Sequence, residues 1–292
     1  MAESAAPMSS IPIFQENTEV VANRSIGPDL YWLDVHAPQI ARTALPGQFV
    51  HLVVSDLSRD HRPAWMRHTP LLRRPFSVAE RNEKEGTVGL IYRVVGGGTE
   101  ILTERQTGAR IDMLGPLGRP FEPITPGCPV VMAAGGVGVA AFFFLAHEAV
   151  YRNGANPLDI RVVFGAATAG LLGGEEKFRA MGIPVDLATD DGSRGHHGFV
   201  TVLLERLFRE TPNRYRFVYV CGPTPMMRRC QTISQEADVP GQVSLEGIMP
   251  CGVGVCMACV VPCRPPDHPD VAPRYERVCH AGPVFDIREV AL

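Results

Sequence analysis

The sequence predicts two folded parts and a short tail: an antiparallel β-barrel, a doubly wound parallel α/β domain, and a small cysteine-bearing segment. Three observations predict this. Six short apolar segments lie between turn residues over 18–114. From residue 128 strand-like and helix-like stretches alternate. Four of the eight cysteines form the set Cys251, Cys256, Cys259 and Cys279. The boundaries read as a disordered lead-in over 1–17, the barrel over 18–125, the α/β domain over 126–243 and the cysteine segment over 244–292.

The barrel strands are expected at 20–24, 30–35, 48–54, 74–79, 89–95 and 109–114. Short β-like runs at this spacing suit a closed antiparallel sheet. An irregular, basic stretch over 56–72 reads as a surface loop, and 99–105 as one short helix capped by Thr99. Arg74-Pro75-Phe76-Ser77 sets a planar guanidinium beside a rigid proline, which suits a diphosphate. Ser77 can offer a hydroxyl to the edge of a flavin ring. Ile91-Tyr92-Arg93 offers an aromatic face and a second cation. Gly98 and Thr99 end a glycine run whose bare amides open a helix, a seat for phosphate. Each piece alone also fits an ordinary strand or turn; their order together points to a flavin nucleotide.

In the second part, strands are expected at 128–134, 158–164, 185–189 and 216–221, and helices at 139–152, 174–181, 201–210 and 224–236. Such alternation builds a parallel sheet with helices on both faces. Ligands then bind at the carboxyl ends of the strands. Gly135, Gly136 and Gly138 form a tight turn at one such end. The run is not G-x-G-x-x-G, so the dinucleotide fingerprint does not apply, but bare amides at a helix start can still face a diphosphate. Cys221-Gly222-Pro223 ends another strand, where Cys221 can lie against a nicotinamide or simply fill the core as a small apolar group. The loop 165–168 has no arginine for a 2′-phosphate, which favours NAD over NADP. Asp190, Asp191, His196 and His197 read as solvated loop residues. No residue is assigned a catalytic proton transfer.

The cysteines follow C-x4-C-x2-C-x19-C. Three thiolates from one loop and a fourth from downstream match the plant-type [2Fe–2S] spacing. Gly252 and Gly254 let the backbone approach a cluster, and Ala258 is small. A zinc site or a disulfide pair competes with this reading, and Cys263 competes with Cys279 for the fourth position.

Apolar residues are 45% and charged residues 20% of the 292, with a net charge of -3. That is ordinary globular composition, with no electrostatic case for nucleic acid. No apolar run reaches the roughly 18 residues of a membrane span. The first twelve residues lack the basic and apolar regions of a secretory signal, so a reducing, cytoplasmic location is expected.

Arg74 to Ser77, then Gly135 to Gly138, then Cys221 to Pro223 is an order that resembles the ferredoxin–NADP reductase superfamily. The segments 189–193, 244–246 and 277–285 are similar to one branch, the iron–sulfur electron-transfer subunits of class 1B dihydroorotate dehydrogenases. The resemblance covers nearly all of the chain from Thr18 onward. It implies FAD on Arg74, Pro75, Phe76, Ser77, Ile91, Tyr92, Arg93, Gly98 and Thr99. It implies a [2Fe–2S] cluster on Cys251, Cys256, Cys259 and Cys279, and NAD on the α/β domain. The implied partner is an FMN-containing dihydroorotate dehydrogenase catalytic subunit, in a heterotetramer of two of each, serving pyrimidine biosynthesis. The stretch 56–72, Cys263 and the proline-rich 262–274 depart from the family pattern. The competing activity is a diaphorase subunit of a hydrogenase or of a ferredoxin–NADP transhydrogenase; a zinc- or flavin-binding regulatory module is a third reading.

Overall fold

The computed structural model describes residues 12–55, 70–265 and 270–292. The barrel is built from β1 (Phe14–Gly27), β2 (Leu30–His36), β3 (Phe49–Leu52), β4 (Arg74–Asn82), β5 (Thr87–Arg93) and β6 (Arg110–Leu117). It closes in the order β1-β2-β5-β4-β3-β6, which leaves no free edge. Two helices lie in its connections, α1 (Pro38–Thr43) and α2 (Gly97–Thr103). The alternation of β-branched and aromatic residues explains the strands: Val20, Leu33, Val35, Val50, Leu52, Val78, Leu90 and Ile111 all point into one core.

Two expectations change here. The lead-in expected to be disordered over 1–17 becomes strand from Phe14, because Phe14 to Glu19 pair with Gly115 to Arg110. Residues 1–11 and most of the loop expected over 56–72 lie outside the described residues. The helix expected from Thr99 starts at Gly97 with Gly96 as its cap position. Thr99 is the third residue inside it, and its hydroxyl accepts from the Val95 amide and donates to the Gly96 carbonyl, each at 2.9 Å.

The second part holds β7 (Val130–Gly135), α3 (Ala140–His147), β8 (Ile160–Ala166), α4 (Glu175–Ala180), β9 (Val185–Thr189), β10 (His196–His197), α5 (Val200–Glu210), β11 (Phe217–Cys221), α6 (Thr224–Glu236) and β12 (Gly241–Ser244). Its sheet runs β10-β9-β8-β7-β11-β12, all parallel. The order reverses between β7 and β11, the crevice where open α/β sheets bind ligands. The helix expected over 139–152 is three pieces: a 3-10 turn over Gly136–Val139, α3, and a π turn over Glu148–Arg152. Helix α3 is buried on every side, because it lies between the sheet and the barrel. Phe143 meets Trp32 of β2 (6.3 Å between ring centroids), and Arg81 of β4 lies over Phe144 (5.1 Å). Barrel and sheet therefore share a core that includes Leu30, Trp32, Ala79, Ile91, Met132 and Phe142.

The C-terminal segment forms a hairpin of β13 (Val260–Cys263) and β14 (Arg274–Arg277), then α7 (Val278–Ala281) and β15 (Val284–Asp286). Strand β15 pairs antiparallel with β12 and so becomes the seventh strand of the large sheet. Among the described residues no helix is long and apolar enough to cross a membrane.

Candidate functional site

Three features meet around the barrel–sheet junction. The first is a cavity of about 480 Å³ lined by Arg74, Pro75, Phe76, Ser77, Ile91, Tyr92, Arg93, Gly98 and Thr99, with Phe49, Val137, Leu245 and Glu246 among its other walls. All nine barrel residues singled out in the sequence line it. Cross-strand pairing explains this, since β4 lies beside β5 and Ser77 sits opposite Phe49. Among the described residues no carboxylate pairs with Arg74 or Arg93, so both guanidiniums are available to an anion. The nearest acceptors of Arg74 are the carbonyls of Leu72 and Arg73. A Cβ on Gly96 or Gly97 would have no neighbour within 4 Å. Packing therefore does not demand glycine there, and the loop's amides stay uncovered by side chains.

Tyr92 lines the cavity with only part of its ring, since most of the side chain is packed into the barrel. Its ring stacks on Tyr31 (5.3 Å), meets Phe76 edge-on (6.1 Å), and its hydroxyl donates to Asn23 Oδ1 at 3.0 Å. Strand alternation turns it into the barrel core while Ile91 and Arg93 face outward. Burial pushes its pKa far up.

The second feature is a cavity of about 680 Å³ at the sheet switch point, lined by Gly135, Gly136, Gly222, Pro223 and Asp190 among others. Gly136 has φ +53, a conformation that L side chains rarely adopt. Gly138 and Cys221 lie beneath this turn instead: a Cβ on Gly138 would meet the Cys221 carbonyl oxygen at 2.6 Å. Cys221 is buried, and desolvation drives its thiol pKa far up. The glycine at 138 is thus explained by packing between neighbouring strand ends.

Arg93, Val137 and Glu246 line both cavities. Sequence reasoning missed Glu246 and Asp190 as wall residues. The position of Asp190 at a strand end was a usable signal; Glu246 had only the family resemblance of 244–246, and the pairing of β12 beside β11 brings it to the wall. Water reaches Glu246, yet the surrounding walls desolvate its carboxyl and raise its pKa.

The third feature is the cysteine loop. All eight cysteines are free thiols. Cys259 Sγ and Cys279 Sγ lie 3.3 Å apart, far beyond a disulfide bond. The Cys256 amide donates to Cys251 Sγ (3.5 Å), and the Cys256 side chain also reaches that sulfur. Gly254 donates its amide to Cys279 Sγ (3.2 Å), and Cys279 its own to Cys259 Sγ (3.4 Å). Among the described residues no three His, Cys, Asp or Glu side chains converge to hold a metal ion. The four thiols, with amides donating to Cys251, Cys259 and Cys279 Sγ, fit the ligand set of a binuclear iron–sulfur centre. Burial opposes ionisation of Cys251, but amides of Cys256, Val253 and Val255 outweigh it and bring its pKa down to about 6. Burial and the adjacent Cys259 push Cys279 up to about 12.

The hairpin explains how Cys279 arrives. Val260 pairs with Arg277, so Cys259 and Cys279 flank its open end. Arg277 Nη1 donates to the Gly254 carbonyl at 2.7 Å and pins the loop. Cys263 sits at the other end, opposite Arg274 and bridged to Val290.

Residues 246–291 match the family model for the iron–sulfur cluster binding domain of dihydroorotate dehydrogenase B. A "Dihydroorotate dehydrogenase B (NAD(+)), electron transfer subunit" from Desulforamulus reducens is 40% identical over 271 residues, covering 92% of this chain and 95% of the relative. One from Geobacillus thermodenitrificans is 36% identical over 282 residues, covering 96% and 100%. Among solved structures, an NADH-dependent reduced ferredoxin-NADP oxidoreductase, studied for flavin-based electron bifurcation, is 32% identical, with a TM-score of 0.77 over 94% of this chain and 90% of its own. A cytochrome P450 reductase from Amycolatopsis, at 20% identity and a TM-score of 0.65 over 81% of this chain and 70% of its own, shares the fold. The chain belongs to the family of dihydroorotate dehydrogenase B (NAD(+)) electron transfer subunits.

Proposed function

We propose that this chain links a dihydroorotate-oxidising, FMN-bearing catalytic subunit to NAD+, in the cytoplasmic synthesis of UMP, within a heterotetramer of two of each. The observation that carries the reading is the shared wall of Arg93, Val137 and Glu246 between two nucleotide-sized cavities, with the paired thiols nearby in the same chain. When bound, a [2Fe–2S] cluster supplies single-electron steps, FAD both one- and two-electron steps, and a nicotinamide hydride transfer.

The residues divide this work. Arg74, Arg93 and the amides at Gly96, Gly97 and Gly98 hold the FAD diphosphate, and Ser77 offers its hydroxyl to the flavin edge. Thr99 fixes the glycine loop. Gly135, Gly136, Gly222 and Pro223 form the bare wall on which NAD lies. Asp190 accepts from a ribose hydroxyl and repels a 2′-phosphate, which favours NAD over NADP. Cys251 with Cys256, and Cys259 with Cys279, hold the two irons. The amides of Gly254, Cys256 and Cys279 donate to their sulfurs and tune the potential. The exposed Ile248, Val255 and Met257 around Cys256 form an apolar face against which the catalytic subunit docks.

Anaerobically purified protein should carry about two irons and one FAD per chain and give a paramagnetic signal after reduction. Mixed with its catalytic partner it should reduce NAD+ with dihydroorotate. Stoichiometric zinc without iron would overturn the proposal. The similarity to the ferredoxin-NADP oxidoreductase keeps a transhydrogenase-type diaphorase as a second reading; dihydroorotate-independent reduction of NADP+ by ferredoxin would select it.

A further inference from the structure

His51 is fully buried on β3, and among the described residues neither ring nitrogen has a hydrogen-bond partner. Buried polar groups are almost always satisfied, so this one requires a reason. Its ring lies against the cysteine loop: a Cβ on Gly252 would meet His51 Cε1 at 2.7 Å, Nδ1 at 2.8 Å and Nε2 at 3.0 Å. The ring also meets Phe49, 5.6 Å between ring centroids. Phe49 lines the flavin cavity and sits opposite Ser77. Cys251, Gly252, His51, Phe49 and the cavity thus form one continuous packed row. Burial, and after it the charges of Arg73 and Arg74, keep the imidazole neutral, with one N–H to donate.

We propose that His51 is a positioning residue that donates its N–H to a sulfur at the Cys251 end of the cluster and couples the cluster to the flavin pocket through Phe49. The inference rests on the reading that these cysteines hold a [2Fe–2S] cluster. The missing acceptor is then explained, because a sulfur absent from the polypeptide fills it. Donation to a cluster sulfur stabilises the more negative, reduced form and raises the potential. The glycine at 252 is what admits the ring.

The test compares wild type, His51→Gln and His51→Leu in the purified holoprotein. Iron, FAD and NADH–dye activity are checked first. The cluster midpoint potential is then read by a redox titration followed by paramagnetic resonance, with electron-spin-echo spectroscopy for nitrogen coupling. For His51→Leu the expectation is a negative shift of about 59 mV, a tenfold change in a one-electron equilibrium, with loss of one weak nitrogen coupling. His51→Gln, which keeps a donor, should recover most of the shift. Equal potentials in all three proteins would overturn the proposal. If iron is lost from the leucine variant and kept in the glutamine variant, the donor role is supported; loss from both would show that the ring only fills space and would overturn it. A wild type without iron would instead defeat the cluster reading itself.

Discussion

Cys251 and Cys279 serve one site yet lean in opposite directions. Amides surround the first and bring its thiol pKa to about 6, while burial and Cys259 push the second up to about 12. Thiolate is the reactive form. After iron is chelated, maleimide labelling of Cys251 should already be fast at pH 7 and fall as pH drops through 6, while Cys279 stays unlabelled. Mass spectrometry of the labelled peptides reads this directly. Gly252 is equally specific. It has φ +69, and an added Cβ would strike the His51 ring. Gly252→Ala should cost about 1–3 kcal/mol from overpacking and roughly 1 kcal/mol from the left-handed backbone. A lowered urea midpoint and lost iron with FAD retained would show it. At this scale the four proposed ligands are legible in the sequence because three of them are local, and a loop that wraps a cluster needs a fixed spacing. His51 is not legible: it is an ordinary residue on its own strand, and only contact with the distant cysteine loop gives it a role.

Hairpin β13–β14 sets which thiol lies beside Cys259. Register sets Cys259 and Cys279 at one end and Cys263 at the other, where it is buried against Val290. Cys263→Ser should therefore keep about two irons per chain, whereas Cys279→Ser should lose them; iron analysis after anaerobic gel filtration separates the two. Sequence distance pointed the other way, since Cys263 lies only four residues beyond Cys259. Pairing between β13 and β14 overrides that distance. Five of the six barrel strands run seven residues or more, long enough for their apolar alternation to have a period. β12, with four residues, and β15, with three, carry no such period. They exist because β11 offers an unpaired edge that they extend. α3 was legible as a helix from its apolar run, but its burial on all sides depends on the barrel packing over it.

At the scale of the whole molecule, the barrel, the sheet and the C-terminal segment are fused by shared cores and by β15. Trp32, Phe143 and Phe178 form one aromatic stack across the junction, with Lys177 paired to Glu80 and lying over Trp32. This rigidity lets two cavities keep one common wall. It also leaves Val255 and Met257 exposed on the far side of the cysteine loop. Val255→Asp with Met257→Asp should weaken binding of the catalytic subunit at least about tenfold, roughly 1.4 kcal/mol, while NADH–dye activity stays unchanged; calorimetric titration and dye reduction measure the two. The flow of electrons through the thiol loop to the flavin and on to NAD+ is tested most directly with Cys256→Ser in complex with the catalytic subunit. Dihydroorotate-dependent reduction of NAD+ should be lost while FAD and NADH–dye activity remain. Undiminished dihydroorotate-dependent NAD+ reduction by a complex without iron would contradict it.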